Sequence, residues 1–252
     1  MMFKRLPPVI GLILTLLAAI SWKAPDPVLT LFMIGDSTMA DKADPDRNPE
    51  VGWGQVMPEF FTDQVQVRNF AVNGRSTRSF IDEGRWDNVL KDLRPGDYVF
   101  IQFGHNDQKV NDPKRYTNPW TGYRRNLERF VKEAREKGGV PVILSSIVRR
   151  KFNENGTLED THGVYPFVAR QVAADLDVPF IDLQLKTEDL VASMGPEKSK
   201  ELYLWLDPGQ DDYFPDGKQD DTHLNIRGAR EFARLATDAI KAMELPLADY
   251  LK

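Results

Sequence analysis

Five short apolar runs alternate with segments of helical periodicity along this chain. The runs lie at residues 28–34, 65–71, 97–103, 140–145 and 178–182. Apolar runs of this kind are typical of strands that are covered on both faces. The sequence therefore predicts five buried strands.

Apolar residues at helical spacing occupy most of the segments between and after these runs. They predict helices at residues 53–61, 86–93, 123–137, 165–176 and 226–243, and the stretch from the fifth strand to residue 220 reads as irregular. Strands that alternate with helices predict an α/β fold, with one parallel sheet between two helical layers. In such a sheet, ligands bind in the loops at the carboxyl ends of the strands.

The N-terminus has the pattern of a secretory signal peptide. Lys4 and Arg5 precede an uncharged apolar run from Val9 to Ile20. That run is short for a permanent membrane anchor. We predict a signal peptide at residues 1–24, one domain at residues 25–252, a secreted or periplasmic location and no stable membrane insertion after cleavage. The alternative is a buried N-terminal helix.

Composition narrows the classes of function. The 252 residues include no cysteine, which excludes a cysteine-linked lipid anchor, structural disulfides and a thiol nucleophile. The formal net charge is -5, so the chain is a poor general nucleic-acid binder and we expect no nucleic-acid partner. An anionic substrate remains compatible with a local basic patch.

Residues that could form a catalytic site follow the predicted strands at four places. Ser37 ends the first strand in Gly35-Asp36-Ser37, Gly74 follows the second strand, Asn106 follows the third, and Asp220 and His223 precede the last helix. Each has an ordinary alternative as a turn or, for residues 220–222, as the cap of that helix. Their common position after strands of one sheet favours a shared site.

These residue types fit acyl transfer. The spacing of three between Asp220 and His223 lets the carboxylate contact one imidazole nitrogen, leaving the other to take a proton from Ser37. The backbone N–H groups of Ser37 and Gly74 and the amide of Asn106 can stabilise an oxyanion. The sequence therefore indicates a serine hydrolase.

The order of these motifs resembles a known superfamily. Gly35-Asp36-Ser37, Gly74, Gly104-x-Asn106-Asp107 and Asp220-x-x-His223 are similar to the four blocks of the SGNH (GDSL-type) hydrolases, over residues 29–242. The resemblance implies a flavodoxin-like three-layer α/β/α sandwich with a five-stranded parallel sheet. It implies Ser37, Asp220 and His223 as catalytic residues and Ser37, Gly74 and Asn106 as oxyanion donors, without a metal ion or another cofactor.

A narrower resemblance comes from the residues around these blocks. Thr38 follows the serine, and residues 73–79, 103–107 and 195–217 are similar to rhamnogalacturonan acetylesterases of carbohydrate esterase family 12. This implies a secreted esterase that deacetylates pectic polysaccharide or oligosaccharide. Two alternatives stay open: an SGNH lipase or thioesterase, which needs an apolar acyl groove, and a carbohydrate-binding protein without turnover.

Basic residues lie near the same strand ends. Arg75 and Arg78 follow the oxyanion glycine, and Arg149 follows the fourth strand. Guanidinium groups bind carboxylates bidentately, so we expect at least one of the three to contact a uronate. Lys151 reads as a solvated surface charge.

The remaining candidates favour ordinary roles. We expect His105 to be oriented by hydrogen bonds and His162 to be exposed. Core or helix-packing roles are expected for Trp53, Trp120 and Trp205, with stacking on sugars as the alternative. The acidic stretch 206–217 reads as a wall of the cleft, with a calcium-binding loop as the alternative.

Overall fold

A parallel sheet of five strands runs through the centre of the molecule. The computed structural model describes residues 28–252, and the predicted signal peptide lies outside the described residues. The strands are β1 Leu29–Gly35, β2 Val65–Asn69, β3 Tyr98–Gln102, β4 Val140–Leu144 and β5 Phe180–Ile181, in the order β2-β1-β3-β4-β5. All five predicted strands are present, and β1 lies between β2 and β3.

Six α-helices cover the sheet within residues 28–252. They are α1 Thr77–Asp82, α2 Arg85–Asp92, α3 Arg124–Glu136, α4 Tyr165–Asp175, α5 Leu183–Lys198 and α6 Ile226–Ala242. Alternate residues of β1 point to opposite faces: Leu31 packs in the core beside α5 and α6, and Phe32 packs in the core beside α2, α3 and α4. This arrangement confirms the predicted α/β sandwich with its five-stranded parallel sheet.

The predicted helix at residues 53–61 is wrong for its first half. Only a short 3₁₀ helix, Met57–Phe60, forms there. The backbone N–H of Trp53 donates to the carbonyl of Thr38, 2.9 Å away. Gly54 packs so closely that a Cβ on it would lie 2.6 Å from the carbonyl oxygen of Met39. The segment is thus held against the loop after β1 instead of closing a helical ladder.

The predicted irregular stretch after β5 is also wrong, because it contains α5 and a hairpin. The hairpin strands are β6 Tyr203–Leu206 and β7 Lys218–Leu224, which pair antiparallel. Helix α5 is interrupted at Gly195, which has φ 73° and precedes Pro196. The sequence of β7, Lys-Gln-Asp-Asp-Thr-His-Leu, lacks the alternation of apolar and polar residues that marks most strands. It forms a strand because it pairs with β6.

The alternative that residues 220–222 cap the last helix is wrong as well. Asn225 is the N-cap residue of α6, and its Oδ1 accepts the N–H of Gly228 at 3.0 Å. The Asp220 carboxylate is therefore available to His223. In the part of the chain from residue 28 onwards, no helix is long and apolar enough to cross a bilayer.

Candidate active site

A tight turn after β1 presents Ser37 at the edge of the sheet. A Cβ on Gly35 would lie 2.8 Å from the carbonyl oxygen of Gln102 on the neighbouring strand β3, so the strand end requires glycine. The buried carboxylate of Asp36 accepts the N–H of Thr38 at 3.0 Å and its hydroxyl at 2.8 Å. These bonds close the turn and leave the Ser37 side chain half-buried at its apex.

A chain of hydrogen bonds connects Ser37, His223 and Asp220. The Ser37 Oγ lies 2.9 Å from His223 Nε2, and His223 Nδ1 lies 2.9 Å from Asp220 Oδ2. The second oxygen of Asp220 accepts the backbone N–H groups of Thr222 at 2.8 Å and His223 at 2.9 Å. Ser37 and His223 are 186 positions apart in the chain. The three predicted residues thus meet at one edge of the sheet.

The electrostatics of Asp220 determine which imidazole nitrogen carries the proton. Burial by itself would raise the pKa of Asp220. The hydrogen bond and the charge interaction with the His223 ring, together with the backbone N–H groups of Thr222 and His223, outweigh burial and hold this pKa well below its usual range. An ionised carboxylate accepts only, so His223 Nδ1–H donates to it. The other nitrogen, Nε2, is then an acceptor for the Ser37 hydroxyl.

The sheet order brings the predicted oxyanion donors onto neighbouring loops. Gly74 has φ 75°, in the left-handed region where a side chain is strained. Asn106 is buried, and its Nδ2 donates to the carbonyl of Arg75 at 3.1 Å, which fixes the amide against the loop of Gly74. Because β1 lies between β2 and β3, the loops of Ser37, Gly74 and Asn106 are adjacent.

A buried lysine that the sequence did not indicate braces this region. The Lys42 ammonium donates to the carbonyl of Ser37 and, at 3.0 Å, to Oδ1 of Asn73, and it lies 2.7 Å from Glu50 Oε1. Its side chain is 2% exposed. Lys42 stands in a charged stretch that reads as a surface loop, so no sequence signal marks it.

A second histidine–aspartate pair lies beside the site. His105 Nδ1 is 3.2 Å from Asp36 Oδ2, as expected for an oriented histidine. Burial raises the pKa of Asp36, but His105 and the Thr38 bonds outweigh it and lower the pKa to about 2. Burial lowers the pKa of His105, more than Asp36 raises it. A neutral His105 therefore donates Nδ1–H to the Asp36 carboxylate, which links the loops after β1 and β3.

The prediction that His162 is exposed is wrong. His162 is 2% exposed, and its Nε2 lies 2.8 Å from the carbonyl oxygen of Ile147. Its ring meets the ring of His105 edge to face, with 4.6 Å between the centroids. Burial is the main cause that holds the pKa of His162 well below its usual range, and the positive charge of nearby Arg149 acts in the same direction. His162 thus packs as a neutral ring behind the block that carries Asn106.

The three predicted substrate-binding arginines have different surroundings. Arg75 pairs with Glu83 at 3.0 Å. Arg78 donates to the carbonyls of Pro113 at 2.9 Å and Tyr116 at 3.2 Å. Arg149 is half-buried and donates at 3.3 Å to the carbonyl of His105, the residue before Asn106.

The expectation for Lys151 agrees with the structure. This side chain is 63% exposed and lies 3.3 Å from Glu159. It is a solvated surface charge.

The tryptophans divide between packing and exposure. Trp53 is fully buried and its indole N–H donates to Gln102 at 2.8 Å, and Trp205 is partly buried and bonds to Asp221. Trp120 is 51% exposed and its ring meets that of Phe167 in α4 edge to face, with 6.3 Å between the centroids, so it packs at the surface and not in the core. Among residues 28–252, including the loop 206–217, no group of three or more histidine, cysteine or acidic residues is arranged to hold a metal ion.

Comparisons with known proteins bear on this site. The sequence model of the GDSL-like Lipase/Acylhydrolase family matches residues 33–231. Rhamnogalacturonan acetylesterase RhgT of Bacillus subtilis (strain 168) is 44% identical over 223 residues, which cover 88% of this chain and 94% of that protein. The probable rhamnogalacturonan acetylesterase YesY of the same organism is 35% identical over 219 residues, covering 87% of this chain and 95% of that protein.

A solved structure extends the likeness to the fold. The crystal structure of protein YXIM of Bacillus subtilis matches with a TM-score of 0.75 and 26% identity. The match covers 88% of this chain and 58% of that one, so this chain spans little more than half of that longer protein.

Proposed function

The chain belongs to the GDSL-like lipase/acylhydrolase family, and on that premise we propose that it removes O-acetyl groups from a pectic polysaccharide of the rhamnogalacturonan type. Membership confirms the resemblance predicted from the four sequence blocks, and it makes the chain an esterase. The hydrogen-bonded series Ser37–His223–Asp220 is the observation that carries the proposed mechanism. The 44% identity to a rhamnogalacturonan acetylesterase supports the proposed substrate.

The first half of the proposed reaction transfers the acetyl group to the enzyme. Ser37 Oγ attacks the acetyl carbonyl carbon while His223 Nε2, 2.9 Å away, takes its proton. The imidazolium is stabilised by Asp220. When the tetrahedral intermediate collapses, His223 gives this proton to the departing sugar oxygen, and the acetyl group remains on Ser37.

The second half returns the enzyme to its starting state. Water attacks the acetyl-enzyme while His223 accepts one of its protons. The new tetrahedral intermediate releases acetate, and His223 returns the proton to Ser37 Oγ. The same histidine thus acts as base and then acid in each half.

The negative oxygen of both intermediates is proposed to lie among the N–H groups of Ser37 and Gly74 and the Asn106 amide. These donors belong to loops held by hydrogen bonds, so they need little rearrangement when charge develops. Loss of one such donor weakens transition-state stabilisation by on the order of 3 kcal/mol.

The basic residues near the site support an acidic substrate. We infer that Arg149, which touches the backbone next to Asn106, contacts a uronate carboxylate. Arg75 and Arg78 remain candidates for the same role, although Arg75 already pairs with Glu83 and Arg78 holds the carbonyls of a neighbouring loop. Of the three, Arg149 therefore has the strongest structural support.

Export of the protein is part of the proposal. Residues 1–24 are expected to be cleaved, which would release residues 25–252 as one catalytic domain in the periplasm or outside the cell. N-terminal sequencing of the exported protein tests this. A mature protein that still begins at Met1 contradicts it.

Acetate release from acetylated substrates tests the function. We expect the wild-type protein to hydrolyse 4-nitrophenyl acetate and to release acetate faster from acetylated rhamnogalacturonan than from acetylated xylan. Ser37→Ala is the matched control. Equal rates for wild type and Ser37→Ala would exclude the serine mechanism and favour carbohydrate binding without turnover. A preference for long acyl esters would favour the lipase or thioesterase alternative.

A further inference from the structure

Three basic residues lie beside the loops of the proposed oxyanion donors. We call Lys109, Arg115 and Arg149 the basic rim. The nearest guanidinium nitrogen of Arg115 lies 3.5 Å from the position that a Cβ on Gly74 would occupy. The other two members lie next to the third block: the backbone N–H of Lys109 donates to the Asn106 carbonyl at 3.2 Å, and the Arg149 guanidinium donates to the His105 carbonyl at 3.3 Å.

The three rim residues carry like charges that interact with one another. Burial and the positive charges of Arg115 and Arg149 lower the pKa of Lys109. Arg115 lies 3.2 Å from Asp112. Within residues 28–252, neither Lys109 nor Arg149 lies within 4.0 Å of a carboxylate. An anionic ligand placed among the three would relieve their mutual repulsion.

The loop that carries Lys109 and Arg115 is held in place by hydrogen bonds to its backbone. Arg78 donates to the carbonyls of Pro113 and Tyr116, on both sides of Arg115. The N–H of Thr117 donates to the Asp107 carbonyl at 3.0 Å, which closes the loop that carries Lys109 and Arg115. A preformed loop loses little conformational freedom on binding, as a recognition site requires.

We propose that the basic rim is a subsite for the carboxylate of a uronic acid in the sugar chain whose acetyl group reaches Ser37. This rests on the proposed function and adds Lys109 and Arg115 to Arg149. A guanidinium fork matches a planar carboxylate, and an ammonium adds a point charge. The position of Arg115 against Gly74 places the carboxylate beside the reacting ester.

Direct binding tests the rim without any turnover. Calorimetric titration of the wild-type protein with trigalacturonate, and with its fully methyl-esterified form, compares an anionic and a neutral ligand of the same length. We expect the acid to bind at least about tenfold more tightly than the ester, with the ratio shrinking in high salt. Equal Kd values for acid and ester would overturn the proposal.

Variants locate the effect. In Arg115→Gln and Lys109→Gln, we expect the acid-to-ester preference to fall about fivefold or more. Arg234→Gln and Lys132→Gln, on the outer surfaces of α6 and α3, are the matched controls and should keep it. An unchanged preference in both rim variants, or an equal fall in the controls, contradicts the proposal.

The esterase assay separates this proposal from the proposed function. If wild type does not hydrolyse acetyl esters but retains the rim-dependent preference, the proposed function fails and the subsite stands. If hydrolysis is normal and the variants slow 4-nitrophenyl acetate as strongly as acetylated rhamnogalacturonan, the rim acts on the oxyanion and the subsite is wrong.

Discussion

Lys42 Nζ lies 3.0 Å from Asn73 Oδ1, across the gap between the loops that follow β1 and β2. The same ammonium donates to the carbonyl of Ser37. Asn73 directly precedes Gly74, so one buried cation joins the two loops whose N–H groups are proposed to bind the oxyanion. We therefore expect Lys42 to be a positioning residue for the proposed reaction.

Replacing Lys42 with methionine should misplace these loops. We expect Lys42→Met to lower kcat for 4-nitrophenyl acetate by about 10- to 100-fold, with a smaller change in KM, because small displacements of reacting groups are costly. The reaction rate with a fluorophosphonate, which also needs the oxyanion donors, should fall in parallel.

Glu50 provides the control for the lysine variant. It lies 2.7 Å from Lys42 and would lose its partner in Lys42→Met. The double variant with Glu50→Gln removes the unpaired charge and should recover thermal stability but not kcat. Recovery of both would mean that Lys42 acts only on stability.

Asp220→Asn should disable the base while leaving the fold intact. An asparagine amide facing His223 Nδ1 donates a hydrogen, so the imidazole proton moves to Nε2, where it faces Ser37. We expect kcat to fall by about 10⁴-fold. Steady-state kinetics with circular dichroism as the folding control measures this. A loss below tenfold would contradict the assigned tautomer.

Asp36 should make the free energy of unfolding depend on pH under acidic conditions. Its folded pKa of about 2 lies below the usual value of 3.8 for an aspartate, so its stabilising contribution is complete well above pH 3.8 and is lost as the pH falls toward 2. The shift corresponds to about 2 kcal/mol, of which about 1 kcal/mol is lost by pH 3.

Urea unfolding of wild type and Asp36→Asn at pH 7 and pH 3 checks the linkage. The wild-type protein should lose about 1 kcal/mol more between these pH values than the variant does. Equal losses would show that the carboxylate is not held in its ionised form.

Gly228→Ala should destabilise the protein through its backbone. A Cβ on Gly228 would lie 1.9 Å from the carbonyl oxygen of Leu202, and backbone has little room to move away. We expect a loss of about 1–3 kcal/mol in the free energy of unfolding, measured in urea. Lys241→Ala, at an exposed position of the same helix, should change it by less than about 0.5 kcal/mol.

The sequence by itself predicted the five strands of the sheet and singled out Ser37, Asp220 and His223 as candidate catalytic residues. An apolar run such as that of β1 is buried on both faces of the sheet. A strand buried in this way needs apolar residues throughout, so the strand can be recognised from its local sequence. The Gly35-Asp36-Ser37 motif is recognisable in the sequence, but the reason for its glycine is tertiary, because a Cβ there would meet the carbonyl oxygen of Gln102 on β3.

Only the tertiary structure showed the features that depend on strand pairing or on contacts between residues far apart in the chain. β7 is a strand because β6 supplies its hydrogen bonds, and its polar sequence shows no alternation. Lys42 and Arg115 look like surface charges until the chain brings them against Asn73 and Gly74. The hydrophobicity of each residue indicates whether it will be buried. A contact between residues far apart in the chain exists only once the fold has formed, so the local sequence does not show it.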